Sequence, residues 1–427
     1  VAGIAGLMVE RRGSAGLIRR YQTARLRALL RHSYERVPFY RRRFDEAGFH
    51  PDDFHTLDDL GRVPMTRKSD LRLVTGEDAI ATDCDGARLN RYGTGGSTGT
   101  PTEVRFTRFE DRLLRLFRVQ ANRSLGLRWS DRRCTILASG ASGAKSRLER
   151  LGILRSLSLS IYAPWEENLA RLRAFRPDVI RGYGSLLAVM ANRMTDEDRR
   201  TIRPRFITTD SEALTELARM QIEAGFQAPV FDIYDCFECN VIAYQCRQSE
   251  MYHTMDASLV VEVLDEAGRP VGAGECGEVA FTSLHGWAAP LIRYMPGDVV
   301  DRGPDVCACG SAHSVVAKVH GRVQDRFHLP DGRVFNVKLL TSFIYPLCPL
   351  LRLYQLVQEA RDLVVVRLQP IPGVSIREDK LEELRRGLLS ALGEGVTLMV
   401  QVVDEIASEP NGKFRPYRSH IPRIASD

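Results

Sequence analysis

Apolar residues recur at helical spacing near the start of the chain, where Leu17, Ile18, Tyr21, Leu26, Leu29 and Leu30 are interleaved with arginines. That spacing predicts amphipathic helices with the basic residues on the solvated face. The first 90 residues read as helices and loops, with stop signals at Val37-Pro38, His50-Pro51 and Val63-Pro64. The pattern then alternates. Phe109 to Leu125 reads as a helix, Cys134 to Ala138 as a strand, Asp178 to Met194 as a strand and then a helix, and Phe206 to Tyr234 as a strand-helix-strand unit. Alternation of this kind predicts a parallel α/β sheet. Leu259 to Leu264, the turn Glu266 to Arg269 and Glu278 to Ser283 predict an antiparallel meander instead.

The strongest internal boundary lies near Gly321-Arg322, beyond which the pattern becomes self-contained. Leu353 to Glu359 and Leu363 to Gln369 predict a hairpin around Ala360-Arg361-Asp362. Leu381, Leu384, Leu388, Leu389 and Leu392 mark an amphipathic helix, and Val396 to Val403 reads as a buried strand. A small α+β domain over 323–427 is therefore expected after a large α/β domain over 1–322. The small domain ends in a polar loop, Ser408 to Lys413, that packing alone would not place there.

A chain of 427 residues, 44% hydrophobic and 27% charged with 34 Gly and 20 Pro, excludes wholesale disorder. No apolar run approaches the roughly 18 residues of a membrane span. The nearest, Val1 to Val9, meets Glu10-Arg11-Arg12 without a basic leader, so a soluble cytoplasmic protein with no membrane partner is expected. The net charge of +6 is mild, and the arginines crowded into the first 43 residues fit helix faces better than a nucleic-acid surface. Nine cysteines, an odd count, point to reduced thiols or a metal and away from a disulfide framework.

Tyr92 to Pro101 threads four glycines with Thr94, Ser97, Thr98 and Thr100. Glycine lets backbone N–H groups approach phosphate oxygens, and the hydroxyls add donors without bulk. The Gly-Lys-Ser/Thr ending of a Walker A loop is missing, and Thr102 to Thr107 reads as a strand where that loop would need a helix. A second constellation is metal-like. Cys246 and His253 are followed some fifty residues later by Cys307-Ala-Cys309-Gly310, a Cys₃His set of the kind that holds structural zinc. His313 is an alternative to His253, and Cys236 or Cys239 compete as ligands.

Thr94 to Pro101 resembles the phosphate signature of the adenylate-forming superfamily of acyl-CoA synthetases, peptide-synthetase adenylation domains and luciferases. Further matches follow in that superfamily's order. Tyr234-Asp-Cys-Phe-Glu238 resembles its Tyr-Gly-x-Thr-Glu motif, Pro290 to Asp298 its ribose segment, Gly321-Arg322 its hinge, and Asn411-Gly-Lys413 its lysine loop. Within it the chain most resembles the phenylacetate-CoA ligase family, in particular the capsular-polysaccharide-synthesis-like branch, from Leu30 to Arg415.

The resemblance implies a large α/β domain with a small mobile C-terminal α+β domain, and AMP-forming ligase activity on a small carboxylic acid. It assigns Thr94, Gly95, Gly96, Ser97, Thr98 and Gly99 to the phosphates of ATP, Tyr234 to adenine, Asp298 to ribose, and Ser211 and Glu212 to the adenine pocket. Glu238 is assigned to Mg²⁺, Arg322 to ribose or phosphate, and Lys413 to the carboxylate and α-phosphate. Several members carry zinc on a Cys…His…Cys-x-Cys set, which implies the same for Cys246, His253, Cys307 and Cys309. The acceptor implied by default is the thiol of coenzyme A; an amine or a carrier-protein thiol would use the same adenylate. A nucleotide-binding zinc protein without ligase chemistry is a further class, because Asp235 and Phe237 stand where the family has Gly and Thr or Ser.

Overall fold

Ser14 accepts the N–H of Leu17 and so starts the 22-residue helix Ala15–Arg36. Pro38 then opens a new helix, Pro38–Glu46, at the position where its missing N–H costs nothing. The long helix buries Ile18, Gln22, Leu26, Leu29, Leu30 and Ser33. Its outer arginines form exposed pairs, Arg19 with Asp58 at 2.7 Å and Arg31 with Asp52 at 2.6 Å. Exposed pairs of this kind, screened by solvent, contribute little, so the apolar stripe and not the charge holds this helix.

The computed structural model describes residues 2–73, 77–93, 103–137, 155–322, 326–335, 337–407 and 414–421. The chain forms two units, one from Val1–Leu127 with Ile233–His320 and one from Arg128–Asp232 with Gly321–Asp427.

In the first unit the sheet runs Thr66–Arg67, Tyr294–Met295, Cys276–Ser283, Asp298–Arg302, Val315–Arg322, Tyr252–Thr254 and Asn240–Gln245, ending on the last residues of Val230–Cys236. Leu259–Leu264 pairs in register with Cys276–Ser283, as the meander pattern predicts. The helix Arg108–Ser124 starts at a capping box in which Thr107 and Glu110 satisfy each other's backbone N–H groups. Glu110 also accepts the N–H groups of Trp287 and Ala288, which ties that helix start to the loop before Pro290.

In the second unit the strands Ser156–Ser160, Arg133–Leu137, Val179–Gly182 and Phe206–Asp210 are parallel. Helices Trp165–Phe175, Gly184–Ala191 and Glu216–Phe226 alternate with them, as the sequence pattern predicts. A second sheet of this unit has the order Thr397–Val402, Leu363–Pro370, Leu351–Ala360, Tyr417–Ser419, with the helix Glu378–Leu392 burying Leu381, Leu384, Leu388 and Leu392.

One expectation fails here. Thr397–Val402 is not a buried strand but an edge strand, paired with Leu363–Pro370 alone among the described residues, and it leaves Met399 and Val402 about half exposed. Its apolar run of side chains fits a central strand, yet its place in the order was set by the hairpin, which took the central positions.

Candidate functional site

Tyr234 lies near the end of the strand Val230–Cys236, where alternation turns its side chain inward and leaves it 7% exposed. Its hydroxyl donates to Asp298 Oδ2 at 2.8 Å, across 64 residues of sequence. Asp298 opens its strand directly after Gly297, whose φ of 87° makes the turn that brings the carboxylate round. Burial, and then the Asp298 charge, hold the Tyr234 phenol well above its ordinary pKa, so it stays a neutral donor.

Glu238 sits in the turn after that strand and is almost wholly buried. Its Oε1 accepts the Tyr294 hydroxyl at 3.1 Å and lies 3.7 Å from Lys68 Nζ. Lys68 was not among the sequence-level candidates. It is brought here by the parallel pairing of Thr66 with Tyr294. Its one signal in the sequence is rarity, since it is among only six lysines in an arginine-rich chain. Burial, and then the Glu238 charge, push the Tyr294 phenol far up, so it too remains a neutral donor.

The two departures from the family motif have distinct environments. Asp235 pairs with Arg118 at 2.5 Å, and the same guanidinium donates to Asn240 Oδ1 at 2.6 Å. Phe237 is 51% exposed, so its ring is not part of a packed wall.

In the second unit, Ser211 follows the strand Phe206–Asp210 with φ 69°, a left-handed turn that redirects the chain. Glu212 then accepts the N–H of Ser185 on Oε1 at 2.6 Å, at the start of the helix Gly184–Ala191. Its Oε2 accepts the N–H of Phe414 at 2.9 Å. Glu212 therefore joins a helix N-terminus to the residue that follows Lys413. A cleft beside it is lined by Ser185, Ala218, Gln221, Arg352 and Phe414.

Thr94, Gly95, Gly96, Ser97, Thr98, Gly99 and Lys413 lie outside the described residues, as does the side chain of Arg322.

The cysteine and histidine set converges. The ligand atoms of Cys246, His253, Cys307 and Cys309 all lie within 4.8 Å of one another. Cys307 Sγ is 4.0 Å from Cys246 Sγ, and Cys309 Sγ is 3.3 Å from His253 Nε2. Gly310, at φ 76°, makes the tight turn after the two thiols, and the Gln248 N–H points at Cys246 Sγ from 3.3 Å. Burial, and then His313, lower the His253 pKa and keep its imidazole neutral, the form that ligates metals. His313 is engaged elsewhere, its Nε2 bonded to the Glu10 carbonyl at 2.9 Å. Cys236 and Cys239 face each other at 3.3 Å instead of joining this set.

No family model matches the chain. A phenylacetate-coenzyme A ligase of Thermus thermophilus is 30% identical over 340 residues, covering 75% of this chain and 74% of that protein. Protein CapK of Staphylococcus aureus is 25% identical over 276 residues, covering 61% of this chain and 58% of that protein. Among solved structures, a 2-hydroxyisobutyryl-CoA ligase in the postadenylation state matches with a TM-score of 0.78 at 22% identity, over 95% of this chain and 90% of that one. The last likeness speaks for the fold.

Proposed function

Because the chain belongs to the phenylacetate-coenzyme A ligase family of adenylate-forming enzymes, we propose that it joins a carboxylic acid to coenzyme A through an acyl-adenylate, releasing pyrophosphate and then AMP. The observation that carries this reading is the Tyr234–Asp298 hydrogen bond. Two segments that the family resemblance assigns to one nucleotide, far apart in sequence, meet at 2.8 Å. Tyr234 presents a ring to adenine and holds Asp298 so that its carboxylate accepts the ribose hydroxyls. Lys413 supplies the cation for the charge that grows on the α-phosphate, and Thr94 to Gly99 supply donors to the remaining phosphate oxygens.

Glu238 offers a hard oxygen suited to Mg²⁺, and the tyrosine that donates to it leaves its negative charge intact. Mg²⁺ bound there would neutralise phosphate charge; Lys68, whose Nζ lies 3.7 Å from Glu238 Oε1, adds a second cation for the same task. The Cys246, His253, Cys307 and Cys309 set fits zinc. Tetrahedral thiolates at a Zn–S distance near 2.3 Å stand about 3.8 Å apart, close to the 4.0 Å between Cys246 and Cys307. Four protein ligands leave no open position, so the role is structural.

The hinge is assigned to Arg322 to Gln324, with 323–427 as the moving part. Gly321, at φ 94°, supports this by supplying a conformation that side chains resist at the start of the pivot. Ser211 and Glu212 keep their assignment to the adenine pocket, and Glu212 is further assigned to holding the end of the lysine loop through Phe414.

The test is carboxylate-dependent ATP–pyrophosphate exchange over a panel of aromatic and aliphatic acids, followed by coenzyme A-dependent thioester formation with the acid that responds. Exchange with at least one acid, and thioester only when coenzyme A is added, is the expected result. Absence of exchange with every acid would overturn the reading.

A further inference from the structure

The turn that carries Glu238 is flanked by two thiols, in a Cys-x-x-Cys spacing that the ligase reaction does not use. Cys236 ends one strand and pairs with Asn240, the first residue of the next, so Phe237 to Cys239 make the reversal between them. The two sulfurs are 3.3 Å apart. A disulfide needs about 2.05 Å between sulfurs and Cα atoms roughly 4.4–6.8 Å apart, the separation that ends of a tight turn already have. Closing this pair therefore asks for side-chain rotation and a tightening of the turn that carries Glu238.

The surroundings make the turn a defined site and not a loose loop. Arg118 bonds Asp235 on one strand at 2.5 Å and Asn240 on the other at 2.6 Å, which staples the strand ends together just outside the sulfurs. Asn240 adopts φ 71°, the left-handed conformation that closes the reversal. Access is asymmetric. Cys236 is partly exposed beside the exposed Phe237, whereas Cys239 is 1% exposed. Burial, then the Cys239 thiol and the Glu238 and Asp298 carboxylates, hold the Cys236 thiol well above its ordinary pKa, so its attack is slow; an oxidant from solvent still meets Cys236 first, with Cys239 behind it as the resolving thiol.

We propose that Cys236 and Cys239 form a modification site that hydroperoxides oxidise to a disulfide across the Glu238 turn. The Cys236 sulfur attacks the terminal peroxide oxygen and the O–O bond breaks. The leaving oxygen takes the thiol proton to become water or an alcohol, and Cys236 becomes a sulfenic acid. The Cys239 sulfur then attacks the Cys236 sulfur, the S–O bond breaks, and hydroxide leaves with the Cys239 proton as water. Two thiols lose two electrons and two protons; one hydroperoxide gains them. The disulfide draws together the residues on either side of Glu238, whose carboxylate stands 3.1 Å from the Tyr294 hydroxyl and 3.7 Å from Lys68. Oxidation therefore displaces Glu238 and lowers adenylation. That consequence rests on the proposed ligase reaction, while the disulfide itself does not.

The experiment treats the full zinc-loaded chain with hydrogen peroxide, alkylates remaining thiols and maps the peptides, with pyrophosphate exchange measured on the same samples. The expected map has a Cys236–Cys239 disulfide that dithiothreitol reverses, with exchange lowered about tenfold in the oxidised sample and restored on reduction. Cys239→Ser should stop at a Cys236 sulfenic acid trapped by dimedone. The Cys236→Ser/Cys239→Ser chain should keep its exchange through the peroxide treatment. Both cysteines alkylated after peroxide would overturn the site, as would either one linked to another cysteine. A mapped disulfide with unchanged exchange, or equal loss of exchange in the double variant, would overturn its effect. Absence of exchange even in the reduced chain would count against the ligase reading, and the peptide map would still decide the site.

Discussion

Two polar clusters of the first unit are built in opposite ways. Cys246, His253, Cys307 and Cys309 turn their donors on one another, within 4.8 Å, and their approach is closed by a glycine turn and backbone N–H groups. Tyr234, Glu238, Tyr294 and Asp298 are instead held by phenol hydroxyls, at 2.8 and 3.1 Å. A phenol kept neutral by burial orients a carboxylate without cancelling its charge. On the proposed reading, the first arrangement would use up its ligands on one ion and so hold shape, while the second, with Lys68 as a nearby cation, would keep carboxylate charge for a substrate.

That contrast is broken most directly by Glu238→Gln, which keeps size and removes charge. Pyrophosphate exchange should fall about 10²–10³-fold with the melting temperature unchanged, and Lys413→Ala should behave alike. A melting temperature that fell together with exchange would make the tyrosine–carboxylate cluster structural as well. The reverse is expected of Cys309→Ser or of chelation. Melting should drop by about 5–10 °C, with the residual folded protein retaining exchange, and metal analysis of untreated protein should find one zinc per chain. Zinc-free protein with unaltered melting would remove the closed cluster from the comparison.

Tyr234→Phe sharpens the account of the neutral donor. Loss of one hydrogen bond to a charged group is worth about 1.5–3 kcal/mol, so the KM for ATP should rise roughly 10–100-fold with kcat less affected. An unchanged KM would mean that Asp298 needs no such support. The smallest effect is on pH dependence. Burial, chiefly, lowers the His285 pKa to about 4. The unfolded chain then binds the extra proton between about pH 6.5 and 4, so stability is full above that window and declines as pH falls through it. Between pH 7 and 5 the loss should be about 2 kcal/mol, and His285→Gln should lack it, in denaturant titrations at each pH. Metal release in acid would add a separate slope that the variant retains.

Much of the fold was legible because its signals are local. Leucines from Leu381 to Leu392 at helical spacing gave the helix Glu378–Leu392, and Ala360-Arg361-Asp362 gave its hairpin. The edge position of Thr397–Val402 was not legible, since burial of a strand depends on which neighbours reach it. Of the site, Tyr234, Glu238 and Asp298 were readable only through likeness to a family. Lys68 was invisible even so, because it arrives through a pairing of Thr66 with Tyr294, 228 residues further along. The choice between His253 and His313 was likewise open from spacing. It is decided by Glu10, whose carbonyl occupies His313 from 303 residues away.

The edge strand Thr397–Val402 has a consequence for how the protein behaves in concentrated solution. Its outer side presents unpaired backbone donors and acceptors among the described residues, beside exposed Met399 and Val402. Another extended chain can add to such a strand as a further member of the sheet, and apolar side chains on the rim make the addition adhesive. Self-association should thus begin at this rim and grow with protein concentration. A lysine at 399 in place of methionine would place charge on the rim and keep the protein dispersed without touching either polar cluster.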